Sequence, residues 1–278
     1  MITNSSKVIK RSYSFKYGTA RIAYDVWQTG PDVDPEAILF LGAGQVGLLA
    51  QWVAEHCPPG TLVVQGMPHW LVSDVDVITF AYTYIEKVIS KLVPVHNLSK
   101  VNVLAESQAA AATTFVFANT RFRALLKDFV LIQPLGLNPA AYSKASNPLT
   151  IFARRTAQNL KSQLPQFMFE SRLRHNARQL SRIVNFRNPI LRAHYESGLK
   201  SDLSPDLLTL HHTGHRIAVI IGTKDALFPP NEIAETLQKN GLAVPLFQLP
   251  AVPHSPLATR YGIWLLDTAF ESLKMTNR

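Results

Sequence analysis

Val101-Asn102-Val103-Leu104-Ala105-Glu106-Ser107-Gln108-Ala109-Ala110-Ala111-Ala112 runs from an apolar stretch through a serine into a run of alanines. The apolar part, Val101 to Leu104, reads as a buried strand, and the alanine run reads as the start of a helix. A serine between strand and helix with no intervening loop sits on a tight turn. Its neighbours follow the spacing G-x-S-x-G, with alanine at both glycine positions, Ala105 and Ala109. Each substitution adds one methyl where strand and helix backbones approach. The expected effect is a slight widening of the turn, not its loss.

Outward from this stretch, strands and helices alternate. Tyr13 to Phe15 and Thr19 to Gln28 read as two strands joined at Tyr17-Gly18. Ala37 to Leu41 is a short apolar strand ending at Gly42-Ala43-Gly44. Leu48 to His56 reads as a helix stopped by Pro58-Pro59-Gly60. Thr61 to Val64 is a strand, and Val77 to Leu92 carries apolar residues at helical spacing. Gln108 to Asn119 is a helix and Phe129 to Gln133 a strand. After a long interruption, Arg216 to Ile221 is a strand and Asn231 to Asn240 a helix ended by Gly241. Val244 to Leu249 is a strand and Tyr261 to Leu273 a closing helix. This alternation predicts an α/β domain with a mostly parallel sheet and helices on both faces.

The bulk composition bounds the function classes. At 278 residues, with 47% hydrophobic and 17% charged residues, the chain is globular and long enough for one large core. Its single cysteine, Cys57, excludes an intrachain disulfide framework and reads as a small buried residue on a helix. Met1 to Tyr17 has no apolar h-region, and no uncharged apolar run is long enough for a membrane span. The cytoplasm is the expected compartment.

A serine becomes a nucleophile when a base takes its proton and an acid orients that base. The carboxyl edge of the sheet, where such sites gather, offers both. Asp225 lies in Gly222-Thr223-Lys224-Asp225, just after the strand Arg216 to Ile221. His254 lies in Val252-Pro253-His254-Ser255-Pro256, just after the strand Val244 to Leu249. Taken alone, Ser107 also suits a helix N-cap, and Asp225 a turn. Glu106 reads as a partly buried structural residue.

With Ser107, Asp225 and His254 in that order, and a G-x-x-D-x-x-x-P match at Gly222 to Pro229, the chain resembles the α/β-hydrolase fold over nearly its whole length. The resemblance implies a Ser107–His254–Asp225 triad and no cofactor. It implies an oxyanion hole from the main-chain N–H groups of Gln108 and Ala43, worth several kcal/mol in such sites. Where the family often has His-Gly, this chain has Leu41-Gly42. A dinucleotide site at Gly42-x-Gly44 lacks the third glycine at its place. A metal at His211-His212-x-x-His215 lacks a nearby carboxylate or cysteine.

The interruption, residues 138–212, carries most of the chain's excess charge. From Pro139 to Pro205 there are eleven Lys or Arg against three Asp or Glu, in a chain of net charge +9. In the family, an insertion at this place forms a helical lid, which sets residues 1–137 and 213–278 as the core domain. Arg174, Arg178 and Arg182 recur every four residues, on one face of an expected helix. That stripe suits a solvated face or a docking surface for an anion: an acidic carrier protein, a CoA or phosphopantetheine phosphate, or an acidic lipid surface. No nucleic-acid-binding motif accompanies the charge. Phe152, Phe167, Met168 and Phe169 suit lid packing, an apolar acyl pocket, or both.

The expected activity is hydrolysis of a carboxylic ester or thioester through an acyl-enzyme. Two other readings stand beside it. One is a non-catalytic binding protein that uses the basic lid, and the other is an acyltransferase or lyase on the same three residues.

Overall fold

The structure, a computed structural model, describes residues 7–42, 45–68, 77–143, 147–169, 196, 199–255 and 257–275. Its strands are β1 (Val8–Tyr17), β2 (Ala20–Thr29), β3 (Ala37–Phe40), β4 (Thr61–Val64), β5 (Val101–Glu106), β6 (Leu126–Ile132), β7 (Arg216–Gly222) and β8 (Leu246–Leu249). Its described helices are α1 (Leu48–His56), α2 (Val77–His96), α3 (Gln108–Asn119), α4 (Pro139–Ser143), α5 (Pro148–Phe169), α6 (Ser204–His212), α7 (Pro230–Lys239) and α8 (Arg260–Met275). Among the described residues the strands form one sheet in the order β1-β2-β4-β3-β5-β6-β7-β8. β1 and β4 each pair antiparallel with β2, and every other pair is parallel.

The central strands are apolar almost end to end because helices cover both faces of the sheet. β3 and β4 are buried at every residue, and β7 at every residue but Arg216. One face packs α1 and α8 through Val53, Ala54, Leu265 and Leu266. The other packs α2, α3, α6 and α7 through Val88, Ala110, Leu207 and Ile233. Each fully buried Val, Leu or Ile side chain among them contributes about 2 kcal/mol. The alanine run of α3 keeps that helix thin where it lies on the sheet: Ala110 and Ala112 are buried. Among the described residues no helix is long and apolar enough to cross a membrane.

Several element boundaries differ from the sequence reading; β6, for one, begins at Leu126 and not at Phe129. β1 spans Val8–Tyr17, not only Tyr13 to Phe15, since its register with β2 continues to Val8 opposite Thr29. β8 begins at Leu246 and not at Val244, because Pro245 has no N–H to give a ladder. α2 runs one turn past Leu92, through Pro94 to His96. Cys57 is buried, but it caps the end of α1 instead of lying within it.

The register decides where a site can form. Phe40 pairs with Ala105, Glu106 with Ile132, Ile132 with Ile220, and Gly222 with Leu249. The carboxyl ends of β3, β5, β6, β7 and β8 thus lie along one edge. The chain leaves that edge at Leu41, Ser107, Gln133, Thr223 and Pro250. The segment between β6 and β7 contributes α4, α5 and α6.

Candidate active site

Ser107 occupies the turn between β5 and α3 with φ 49° and ψ −116°. A residue with a Cβ seldom adopts positive φ, and holding it there costs on the order of 1–3 kcal/mol. Neighbouring hydrogen bonds maintain it. The Ser107 N–H donates to Ile132 O at 2.9 Å, and Ser107 O accepts from Leu135 N at 3.1 Å. Its side chain makes no capping hydrogen bond to α3, so the helix-cap reading does not describe it. The turn forms with alanine on both sides: Ala105 keeps its register with Phe40 and Leu131 and is fully buried.

The Ser107 hydroxyl faces His254, with Oγ 3.4 Å from Nε2. That is the long end of a hydrogen bond. His254 Nδ1 lies 2.8 Å from Asp225 Oδ2. The other carboxylate oxygen of Asp225, Oδ1, accepts from the main-chain N–H groups of Leu227 and Phe228 at 2.9 and 2.8 Å. With its side chain fully buried, Asp225 has little freedom to leave the histidine. Burial lowers the pKa of His254, but the charge and hydrogen bond of Asp225, with a smaller push from Glu106, leave it above the ordinary value. The Phe228 ring packs edge-on against the imidazole with centroids 5.1 Å apart. The three residues singled out in sequence therefore form one hydroxyl–imidazole–carboxylate chain. Such a chain can move a proton from the serine to the histidine while the carboxylate stabilises the resulting cation.

The Asp225 and His254 loops meet through main-chain contact. Lys224 N donates to Val252 O at 2.9 Å, and Thr223 N to Leu249 O at 2.9 Å. Gly222 allows this approach, since a Cβ there would sit 2.0 Å from Val252 O.

The loop after β3 is anchored from below. Gly42 N donates to Glu106 Oε2 at 2.8 Å, and the Gln45 amide donates to the same oxygen. Gln45 Oε1 in turn accepts from Ala258 N at 3.2 Å. Gly42 also lies close to the serine: a Cβ on it would come within 3.1 Å of Ser107 Cβ. Glu106 is 2% exposed, and burial outweighs its hydrogen-bond donors and the nearby His254, pushing its carboxyl up to about 7. Ala43, the expected second oxyanion donor, lies outside the described residues, but Gly42 and Gln45 on either side of it are both tied to Glu106. The N–H of Gln108, the expected first donor, opens α3 directly after Ser107.

Three side chains that the sequence reading did not single out touch the His254 segment. Gln133, just past β6, donates from Nε2 to Pro253 O at 2.9 Å and accepts from Ser255 N at 3.2 Å. Asn159 on α5 accepts from His254 N at 2.9 Å and donates to His254 O at 2.7 Å. Gln163, one turn further, also donates to His254 O. A signal for the last two does exist in the sequence. Arg155, Asn159 and Gln163 recur every four residues, and the first of them binds Glu232 and Leu227 O.

Arg174, Arg178 and Arg182 lie outside the described residues, and the side chains of Phe167, Met168 and Phe169 are likewise not described. Phe152 packs against the main core. His211 and His212 end α6, and among the described residues no cluster of His, Cys, Asp and Glu could hold a metal ion.

No protein-family model matches this chain, and no curated protein sequence matches it either. Solved structures do resemble it. One is a membrane phospholipase A, a bacterial virulence factor, with a TM-score of 0.60 and 14% identity over 95% of this chain and 87% of that one. Another is a loop variant of a haloalkane dehalogenase from Bradyrhizobium elkanii, with a TM-score of 0.61 and 13% identity over 96% of this chain and 98% of that one. A third is an α/β-hydrolase enzyme from the metagenome of lagoon sediments at Mar Chica, Morocco, with a TM-score of 0.58 and 15% identity over 96% of this chain and 100% of that one. Identities this low speak for architecture and not for substrate. Taken with the strand order and the mostly parallel sheet, they show that this chain has the α/β-hydrolase fold.

Proposed function

We propose that this chain is a serine hydrolase that cleaves a carboxylic ester or thioester. The observation that carries the reading is the contact chain Ser107 Oγ–His254 Nε2 at 3.4 Å and His254 Nδ1–Asp225 Oδ2 at 2.8 Å, with Ser107 held at positive φ. Ser107 Oγ attacks the acyl carbon as His254 Nε2 takes its proton. The carbonyl oxygen becomes an oxyanion that accepts from the N–H groups of Gln108 and Ala43. Collapse of the tetrahedral species breaks the bond to the leaving alcohol or thiol, which receives the proton from His254. Water, deprotonated by the same histidine, then attacks the acyl-enzyme, releases the acid and restores Ser107. Asp225 orients the imidazole throughout and stabilises its charged form. A fold-mate with an aspartate nucleophile would do different chemistry. The serine at this turn favours acyl transfer to water.

Residues 138–212 form a cap over the site in this reading, and Arg174, Arg178 and Arg182 recruit an anionic or carrier-linked acyl substrate. The net positive charge of that segment supports this part.

The test is labelling with a fluorophosphonate probe, together with p-nitrophenyl ester turnover. Both are expected in the native chain and absent from Ser107→Ala. An unlabelled, folded native protein with turnover equal to Ser107→Ala would overturn the reading. Product analysis with added alcohols and thiols separates hydrolysis from acyl transfer. Arg174→Glu with Arg178→Glu is expected to impair carrier-linked or CoA-linked substrates more than neutral short esters, and equal effects on both would remove the docking role.

A further inference from the structure

An extended residue presents its N–H and C=O on one side, and its neighbours present theirs on the other, which is how a strand is gripped within a sheet. At residues 253–255 the chain bends at His254 and joins no sheet, and buried carboxamides hold the same main-chain groups instead. On one side the Asn159 carboxamide takes both main-chain groups of His254, at 2.9 and 2.7 Å, and Gln163 adds a second donor to His254 O. On the other side the Gln133 carboxamide takes Pro253 O and Ser255 N. An amide side chain carries one acceptor and one donor edge, so it can replace a peptide partner. Asn159 and Gln163 are each 5% exposed and Gln133 is fully buried. Burying a carboxamide is costly unless it is paired, so these side chains lose much if the segment shifts.

The two grips have different origins. Gln133 follows directly on β6 and belongs to the sheet. Asn159 and Gln163 belong to α5, in the segment inserted between β6 and β7. The same helix face carries Arg155, which pairs with Glu232 at 2.5 Å and donates to Leu227 O at 3.2 Å. Leu227 N in turn donates to Asp225. One stripe of α5 therefore touches the loops of both Asp225 and His254.

We infer that Asn159, assisted by Gln163, is a positioning residue for His254, so that the seating of α5 sets the place of the imidazole between Ser107 and Asp225. This rests on the triad reading for its catalytic consequence, but the positioning itself does not. A misplacement of about 1 Å in a reacting group can lower a rate by about a hundredfold. Asn159 acts through the main chain of the base and not on the acyl group, so its loss falls on kcat and leaves KM in place.

The experiment compares the native chain with Asn159→Leu, Asn159→Asp, Gln163→Leu and, on the exposed side of α5, Lys161→Ala. It reads the fluorophosphonate labelling rate, kcat and KM on a p-nitrophenyl ester, and the low-field NMR resonance of the His254 Nδ1 proton. Asn159→Leu is expected to lower labelling and kcat about tenfold or more, with KM within about twofold, and to shift or broaden the resonance. Asn159→Asp keeps the acceptor for His254 N but sets an anion against His254 O. It is expected to do the same, and with Gln163→Leu it carries the test if the leucine variant does not fold. Lys161→Ala is expected to match the native chain in every readout. An unchanged resonance in folded Asn159 variants overturns the inference, whatever the labelling. A resonance that responds to Asn159 in a chain that takes no label upholds the positioning and removes the serine hydrolase reading instead.

Discussion

The main-chain N–H of Gly42 donates to Glu106 Oε2 across 2.8 Å, tying the loop after β3 to the residue just before Ser107. A buried carboxyl, pushed up to about 7, thus sits directly beneath the loop that carries the expected oxyanion donor. Two predictions rest on it.

The first concerns stability. The ordinary value for this carboxyl is 4.5. Between pH 4.5 and about 7 the unfolded chain has ionised it while the folded chain keeps it protonated. A folded pKa above the unfolded one gives stability that is full below the unfolded value and is lost as pH rises towards the folded one. The loss is roughly 3 kcal/mol at about 1.4 kcal/mol per unit. Glu106→Gln keeps an acceptor for Gly42 and cannot ionise, so this fall is expected to vanish. Urea unfolding of both chains across the window checks it. Parallel stability profiles would contradict it.

The second concerns rate. The charge of Glu106 helps to hold the pKa of His254 above its ordinary value, and in the proposed mechanism His254 takes the serine proton only when neutral. The ascending limb of kcat/KM is therefore expected above the ordinary histidine range. Glu106→Gln is expected to move it to lower pH. A limb that stays in place, or moves up, would count against this coupling.

Asp225→Asn retains an oxygen for Leu227 N and Phe228 N but offers His254 no carboxylate. The chain should fold, since both turn contacts survive. The kcat is expected to fall by roughly 10⁴-fold. Steady-state turnover with a circular dichroism control measures this, and a fall of less than about tenfold would remove Asp225 from its assigned role.

Ser107→Gly should show the strain stored in the turn. Glycine adopts φ 49° freely, which recovers on the order of 1–3 kcal/mol, less about 0.5–1 kcal/mol for its looser unfolded chain. Ser107→Gly is thus expected to melt higher than Ser107→Ala, with neither chain taking the fluorophosphonate. Scanning calorimetry of the pair decides it, and a lower Tm for the glycine variant would mean that the turn stores no strain.

Gly222→Ala should pry the acid and base loops apart, since the new methyl meets the main chain at Val252 and not a flexible side chain. A loss of about 2–3 kcal/mol is expected, with turnover of a p-nitrophenyl ester falling further than stability alone explains. Thermal melts beside activity at a temperature where both chains are folded make the comparison. Full activity in the folded variant would refute it.

What could be read from sequence follows the kind of contact involved. Ser107, Asp225 and His254 were legible because each follows a strand on one edge of a parallel sheet, and their chemistry resides in their side chains. Gln133 was not, and Asn159 and Gln163 showed only as a polar stripe with Arg155 at four-residue spacing, because all three bind N–H and C=O groups that every residue carries, so their partner leaves no trace in the sequence. Glu106 was legible as structural but not as a junction. Its partners Gly42 and Gln45 come from the neighbouring parallel strand's loop, and only the register of β3 against β5 brings them under it. The start of β8 shows the reverse case: Pro245 stands in the sequence, but the strand was read from Val244, and the structure begins it at Leu246.

The grip on residues 253–255 takes hold of the chain itself and ignores what residue 254 carries. The imidazole is accordingly a replaceable part in a fixed socket. His254→Ala should keep the segment's course and leave a vacancy shaped for a five-membered ring, bounded by the Phe228 ring and the Asp225 carboxylate. Free imidazole added to that variant would find a seat already built for it, and restored labelling of Ser107 would be its signature.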